Sequence, residues 1–358
     1  MRVYNFAAGP ATMPLDVLEQ ARSELTDWRS KGMSVMEVSH RSKDFVAVAE
    51  QSEALVRELL GVPAGYHVLF LQGGATGQFS AIPQNLAPEG ASVDVVNTGA
   101  WSAKAIAEAE KYAPVTVVAD EAASGYSTVP AQGAFGSSDG AAYLHYTPNE
   151  TIGGVEFGYV PEVDVPLVAD MSSTIMSRPL DVSRFGLIYA GAQKNLGPAG
   201  LCLVIVREDL VGHARQSTPS VWDYSRMAAS GSMLNTPPTF GWYLLGLTLE
   251  WIRDTGGLQA MGERNKAKAD RLYAAIDASD FYSNPVAPQA RSWMNVPFLV
   301  ADPALEKDFV SGAAAAGLAN LEGHRSVGGM RASIYNAMPM EGVEALIDFM
   351  KEFEQKHA

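Results

Sequence analysis

Two charged residues close two apolar runs within one stretch of the chain. VPLVAD ends in Asp170, and FGLIYAGA leads straight into Gln193 and Lys194. Gly197-Pro198-Ala199-Gly200 then turns the chain, and LCLVIV makes a third apolar run. Short runs of this kind read as buried strands. In open α/β sheets, ligands bind beyond the carboxyl ends of strands, so Asp170 and Lys194 are placed to face one site. A desolvated lysine amine forms a Schiff base with an aldehyde. A buried carboxylate can hold a pyridine nitrogen protonated, which turns that ring into an electron sink. Either residue alone is more often a solvated strand boundary; the pair points to chemistry.

Basic groups recur where anions would need them. His40 and Arg41 stand side by side just before a helical pattern, with Ser42 as the N-cap. The segment Gly323-His324-Arg325-Ser326-Val327-Gly328-Gly329-Met330-Arg331 gathers further basic groups in one loop of an acidic chain. Composition alone reads both as solvated loops, and chemistry reads them as anion sites. Gly73-Gly74-Ala75-Thr76-Gly77 joins the strand HVLFLQ to the helix QFSAIPQNL. Unpaired N–H groups and the positive helix end would cradle a phosphate there, although such turns also serve close packing. Trp101 follows a strand end in TGAW, where an indole either plugs the core or stacks on a planar ligand. Thr151, in TPNETIGG, follows the strand AAYLHY closely enough for its hydroxyl to meet a ligand oxygen; His145 within that strand reads as a core histidine.

The elements that position these groups alternate between strand and helix. Val3 to Phe6 suggests a short strand, and a helix after Pro14 places Leu15, Leu18, Leu25 and Trp28 on one face until Gly32. The helix after Ser42 aligns Phe45, Val48, Ser52, Val56 and Leu59. Pro83 predicts a kink near Gln78-Phe79. SVDVVN, SAKAIAEAEKY and VTVVAD continue the alternation, and residues 125–140 read as a Gly/Ser-rich loop. Residues 220–238 show no period, and a loop that long belongs to function or to an interface. TFGWYLLGLTLEWIRD is apolar nearly all round and reads as a buried connecting helix. Gly256-Gly257 marks a domain boundary, after which a helix (258–278), the strand WMNVPFLV, the helix PALEKDFVSGAAAAG, the strand RASIYN and the helix MEGVEALIDFMKEFEQ make a smaller α/β layer.

At 358 residues the chain is long enough for one large and one smaller domain, and its 47% hydrophobic content argues against disorder. A net charge of −14 disfavours nucleic acid and anionic membranes as partners. The one cysteine, Cys202 inside LCLVIV, has no intrachain partner and reads as a core residue of a protein from a reducing compartment. MRVYNFAAGPATMP lacks an apolar leader core, and no run approaches the ~20 residues of a membrane span. A cytoplasmic location without metal-type Cys/His spacing is expected.

VADMSSTIMSRP followed by YAGAQKNLGPAG resembles the cofactor site of the phosphoserine aminotransferases, a branch of the class V aminotransferases. MEVSHRS, TGAWS, TPNETIGG, NTPP and GHRSVGGMRASIYNA match the same family, and the resemblance runs from Phe6 to the final helix. Family members commonly carry Gly-Arg where this chain has Ala75-Thr76.

The resemblance implies an α/β chain of the type I pyridoxal-phosphate fold, with a mostly parallel, seven-stranded-type sheet in a large domain (15–256). The smaller domain would comprise 1–14 and 257–358, and a helix would be hidden within 125–140. It implies pyridoxal 5'-phosphate held by Lys194 and Asp170, with Trp101 stacking and with Thr151, Gln193, Ala75 and Thr76 as further contacts. Asn235 and Thr236 would reach the cofactor phosphate of a neighbouring subunit in a homodimer. Arg331 would take the substrate α-carboxylate, and His40, Arg41, His324 and Arg325 the distal anion. The implied reaction is transamination between L-glutamate and 3-phosphohydroxypyruvate, with 4-phosphohydroxy-L-threonine as a further product. Rival readings are another class V activity, such as a serine- or alanine-dependent aminotransferase or a cysteine desulfurase, and a non-catalytic anion-binding module.

Overall fold

The computed structural model describes residues 2–357, so the outermost residue at each end of the expected small domain lies outside it. In chain order the elements are β1 (Tyr4–Asn5), α1 (Leu15–Glu24), α2 (Lys43–Leu60), β2 (Tyr66–Leu71), α3 (Gly74–Leu86), β3 (Val93–Asn97), α4 (Ala100–Ala109) and β4 (Val115–Asp120). Then come β5 (Leu144–Tyr146), β6 (Asn149–Glu150), β7 (Val155–Glu156), β8 (Leu167–Asp170), β9 (Leu187–Gly191), β10 (Cys202–Arg207), α5 (Tyr224–Ala229) and α6 (Thr239–Asp254). The last are α7 (Gly257–Asp277), β11 (Tyr282–Ser283), β12 (Asn295–Val300), α8 (Glu306–Ala315), β13 (Leu318–Ala319), β14 (Met330–Ser333) and α9 (Met340–His357).

Seven strands form the main sheet in the order β2-β10-β9-β8-β5-β3-β4. β10 runs antiparallel to both β2 and β9, and the remaining pairs are parallel. The local cause is the Gly197–Gly200 turn, which returns the chain beside β9 without the long crossover that parallel pairing demands. Apolar residues alternate between two cores. Phe70, Ala169, Ile188, Leu203 and Ile205 pack toward α2 and α6, and Leu71, Val168, Leu187, Val204 and Val206 pack toward α3 and α4. A sheet covered on both faces explains why its central strands read as unbroken apolar runs.

The C-terminal part has its own core, to which Phe6 also belongs. β11, β12 and β14 form an antiparallel sheet, and β1 pairs in parallel with β13.

Four local expectations are corrected. α3 begins at Gly74, so Ala75 and Thr76 lie in its first turn, and it runs unbroken past Gln78-Phe79. Pro83 cannot donate to Phe79 O, yet the helix carries on past it, and Ala87 N–H donates to Pro83 O at 3.1 Å. α1 stops at Glu24 and buries Val17 and Ala21, whereas Leu15, Leu18 and Leu25 are 36–50% exposed. No helix forms within 125–140; a short 3-10 turn, Ala122–Ser124, precedes it. The aperiodic 220–238 stretch contains α5, capped by Asp223.

Candidate active site

Asp170 ends β8 directly opposite Tyr189 on β9, and Lys194 follows β9 by one turn of chain. The sheet therefore brings both sequence-predicted groups to one edge, in a cavity of about 110 Å³ that Trp101, Thr151, Gln193, Ala75 and Thr76 also line. Thr147, Asn149, Ser172 and Ser173 complete its polar wall. A larger cavity of about 320 Å³ lies elsewhere, between Leu60, Tyr159 and Arg178, and holds neither Lys194 nor Asp170. We place the site by the convergent polar groups rather than by volume.

Lys194 is buried, and its Nζ donates to Thr151 Oγ1 at 2.6 Å. Burial pulls the amine down to about 8, with Asp170 and Glu150 opposing and Arg331 adding to the fall. A neutral amine is thus within reach near physiological pH. Burial pushes the Asp170 carboxyl above its ordinary range, while the hydroxyl and N–H of Ser172, at 2.6 and 3.0 Å, and the charge of Lys194 hold it partly down. Ser172 Oγ also accepts from Gly191 N–H at 3.0 Å, which ties Asp170 to the start of the Lys194 loop. Behind the carboxylate, Tyr189 meets His145 Nε2 through its hydroxyl at 2.9 Å. His145 is buried and held neutral, at about 4, by desolvation. It is the core histidine the sequence suggested.

Two helix N-termini border the site, and they differ. At α4, Glu150 accepts from the N–H groups of Trp101 (2.9 Å) and Ser102 (2.8 Å) and from Ser102 Oγ (2.8 Å). Gly99 makes this approach possible, since a Cβ there would lie 2.7 Å from Glu150 Cδ. The positive end of α4 is therefore neutralised from within, and the Trp101 backbone is fixed. At α3 the N-cap is Gly73, which provides no side-chain acceptor, so the first-turn N–H groups at Ala75 and Thr76 remain for a ligand anion.

Arg331, on β14, donates from Nη1 to Thr151 O at 3.4 Å, and its buried Nε has no partner among the described residues. Burial, and then the charges of Arg331, Arg325 and Lys104, push His324 below its ordinary value. Lys104 escaped the sequence reading because helix lysines are ordinarily solvated. Its Nζ lies 4.2 Å from the centre of the Trp101 ring, and Lys194 Nζ lies 5.8 Å from the same centre. Glu150 and Ser172 were missed as well; polar residues close to predicted strand ends were the available signal.

His40, Arg41, His324, Arg325, Asn235 and Thr236 do not line the cavity of their own chain, and Arg331 reaches it only through its bond to Thr151. His40 Nε2 is buried without a partner among the described residues, and Asn235 and Thr236 are exposed. Cys202 is buried within β10 and burial pushes its thiol up, so it supplies no reactive sulfur for a desulfurase.

The cavity suits pyridoxal phosphate on grounds of donor chemistry. It offers an amine of lowered pKa, a buried carboxylate, an indole and an open helix end. Thr147 Oγ1, Asn149 Oδ1 and Trp101 Nε1 are buried without partners among the described residues, so polar capacity remains for a bound group. Among the described residues no group of three or more His, Cys, Asp or Glu is placed to hold a metal ion.

Comparison with known proteins agrees with this chemistry. The chain is 60% identical over 358 residues to the phosphoserine aminotransferase of Pseudomonas entomophila, covering 100% of this chain and 99% of that one. It is 59% identical over 357 residues to the enzyme of the same name from Pseudomonas aeruginosa, covering 99% of each. Among solved structures, the phosphoserine aminotransferase of Bacillus circulans subsp. alkalophilus superimposes with a TM-score of 0.98 at 48% identity, over 100% of this chain and 99% of that one. The pyridoxal-phosphate-bound enzyme of Trichomonas vaginalis gives 0.94 at 42% identity, over 98% of this chain and 100% of that one. The model of the aminotransferase class-V family matches residues 3–346. The chain belongs to the class-V aminotransferases.

Proposed function

We propose that the protein transfers the amino group of L-glutamate to 3-phosphohydroxypyruvate, giving O-phospho-L-serine and 2-oxoglutarate for serine biosynthesis. The observation that carries this reading is the meeting of Lys194, Thr151 and Asp170 in one buried cavity of a chain about 60% identical to phosphoserine aminotransferases. The related phosphorylated oxo-acid that yields 4-phosphohydroxy-L-threonine, for pyridoxine, is a second substrate of the same proposal.

Pyridoxal phosphate, when bound, supplies the aldehyde and the electron-withdrawing ring. Lys194 would hold that aldehyde, and as a neutral amine it would move the proton at the substrate Cα. Asp170 would keep the ring nitrogen protonated, Trp101 would stack on the ring and Thr151 would bond a cofactor oxygen. Gln193 and the first turn of α3, at Ala75 and Thr76, would hold the phosphate. Arg331 takes the α-carboxylate through its planar fork. His324, Arg325, His40 and Arg41 hold the distal anion, which is phosphate in one half-reaction and the glutamate side chain in the other.

The working form in this proposal is a homodimer, with Asn235 and Thr236 reaching the partner's cofactor phosphate. Support comes from their exposure and from the outward-facing Leu15, Leu18, Leu25, Met33, Met36 and Leu234. The division into 15–256 and 1–14 with 257–358 fits the pairing of β1 with β13 and the place of Phe6 in the C-terminal core. A cytoplasmic location is part of the reading and fits the single buried cysteine; no helix among the described residues is long and apolar enough to cross a membrane. Steady-state assay with glutamate and each phosphorylated oxo-acid tests the function. Turnover restricted to unphosphorylated acceptors such as glyoxylate would instead identify another class V activity.

A further inference from the structure

Lys268, on α7, is only 3% exposed and has no carboxylate partner among the described residues. Its Nζ donates to Ile334 O at 3.0 Å, Tyr335 O at 2.7 Å and Met338 O at 2.9 Å. All three ammonium protons are thereby used. Burying a cation is expensive, and an apolar side chain of similar length would fill this space without that desolvation penalty. Burial, and then the charge of Arg264, pull the amine down to about 7. Three carbonyls that can only accept favour the ammonium form, so it is these bonds that point to a role beyond filling volume.

The carbonyls it holds belong to the turn that follows β14, the strand carrying Arg331. The same turn is bonded on its other side to the Lys194 loop. Asn336 N–H donates to Asn195 Oδ1 at 3.1 Å, and Asn336 Nδ2 donates to Met176 O at 2.8 Å. Asn265, one turn before Lys268 on α7, donates to Asn336 Oδ1 at 2.8 Å and to Ser177 O at 2.9 Å. Asn195, the neighbour of Lys194, donates to Ile175 O at 3.1 Å. A continuous buried chain of hydrogen bonds thus runs from α7 through the post-β14 turn to the residue beside Lys194.

We propose that Lys268 and the Asn336–Asn195 pair act as positioning residues that fix the spacing between Arg331 and Lys194, and so hold the substrate Cα–H in line with the amine. This rests on the reading that Arg331 binds the α-carboxylate. A clamp of this kind acts on the geometry of proton transfer more than on affinity, because the carboxylate is still bound when its strand is slightly misplaced.

The test compares Lys268→Met, Asn195→Ala and their combination, with Arg331→Ala as reference. For each of the three clamp variants, kcat per bound cofactor falls about 10- to 100-fold, while KM for glutamate moves less than about 3-fold. The double variant is little worse than either single one, since both loosen the same turn, Lys268 through its carbonyls and Asn195 through Asn336 N–H. Amide hydrogen exchange at 334–338 in the cofactor-free proteins accelerates in both single variants, a readout independent of turnover. Effects that multiply, unaltered exchange, or a lowered melting temperature with normal kcat per bound cofactor each overturn the clamp. If Lys268→Met does not fold, Asn195→Ala decides alone by the same kcat and exchange criteria. Arg331→Ala separates the two claims: an unchanged KM for glutamate removes the carboxylate reading and the clamp with it. A raised KM beside unaltered clamp variants overturns the clamp only.

Discussion

Lys194 Nζ donates to Thr151 Oγ1 at 2.6 Å, so the amine at the centre of the site is held by the loop that follows β6. The backbone oxygen of the same threonine accepts from Arg331 at 3.4 Å. One residue therefore touches both the amine and the guanidinium. Replacing Lys194 by alanine removes a buried, desolvated group without opening a buried hydrogen-bond deficit beyond one hydroxyl. Lys194→Ala should fold normally by circular dichroism and lose on the order of 10⁴-fold in turnover. Wild-type turnover in that variant would defeat the assignment.

The lowered pKa of Lys194 sets a pH dependence. The neutral amine attacks an aldehyde, and its fraction grows as pH rises through about 8 rather than through the ordinary 10.5. Capture of pyridoxal phosphate by the cofactor-free protein should therefore reach half its limiting rate near pH 8, followed by absorbance in a stopped-flow series. Stability follows the same sign. Between about 8 and 10.5 the unfolded chain binds the extra proton, so Lys194 contributes rising stability as pH climbs through that window.

The cations around His324 should discriminate by substrate charge. Arg325→Ala and Lys104→Ala are each expected to raise KM for the phosphorylated oxo-acid about 10-fold, with little effect on an unphosphorylated monocarboxylic acceptor. Arg331→Ala should impair both acceptors alike. Comparing kcat/KM for the three variants on the two acceptors checks this, and equal losses for Arg325→Ala would reopen the question of the substrate.

Exposed Asn235 and Thr236 lead to a complementation test. A chain carrying Asn235→Ala and Thr236→Ala should be nearly inactive, as should Lys194→Ala. Mixed, unfolded and refolded together in equal amounts, they should recover about a quarter of wild-type activity, because half the dimers are mixed and each has one intact site. No recovery, with dimers verified by sedimentation, would place these residues outside the partner's site.

Much of the site was legible because strand ends announce themselves. VPLVAD and FGLIYAGA are buried on both faces and read as apolar runs, so the residues that close them stand out. Glu150 did not, since the N–H groups it caps lie 49 and 48 positions earlier in the chain and no local pattern links them. Lys268 sits in NKAKADRLY, where a lysine looks like ordinary helix surface; its three acceptors come from a turn some 70 residues later. α1 was misread for a different reason. Periodicity reveals an apolar stripe but not what covers it, and within this chain Val17 and Ala21 are buried while Leu15, Leu18 and Leu25 face outward.

Glu150 at the end of α4 has a consequence for recognition. Because that carboxylate already occupies one of the two helix ends, an incoming molecule meets a polarised chamber, with open N–H donors at α3 on one side and Asp170 on another. A ligand bearing a dianion at one end and a protonatable nitrogen at the other is favoured with the dianion at α3 and the nitrogen at Asp170, and the reverse placement would set the dianion against Asp170. With its own acid capping α4, the chain leaves α3 as the helix end open to a ligand anion.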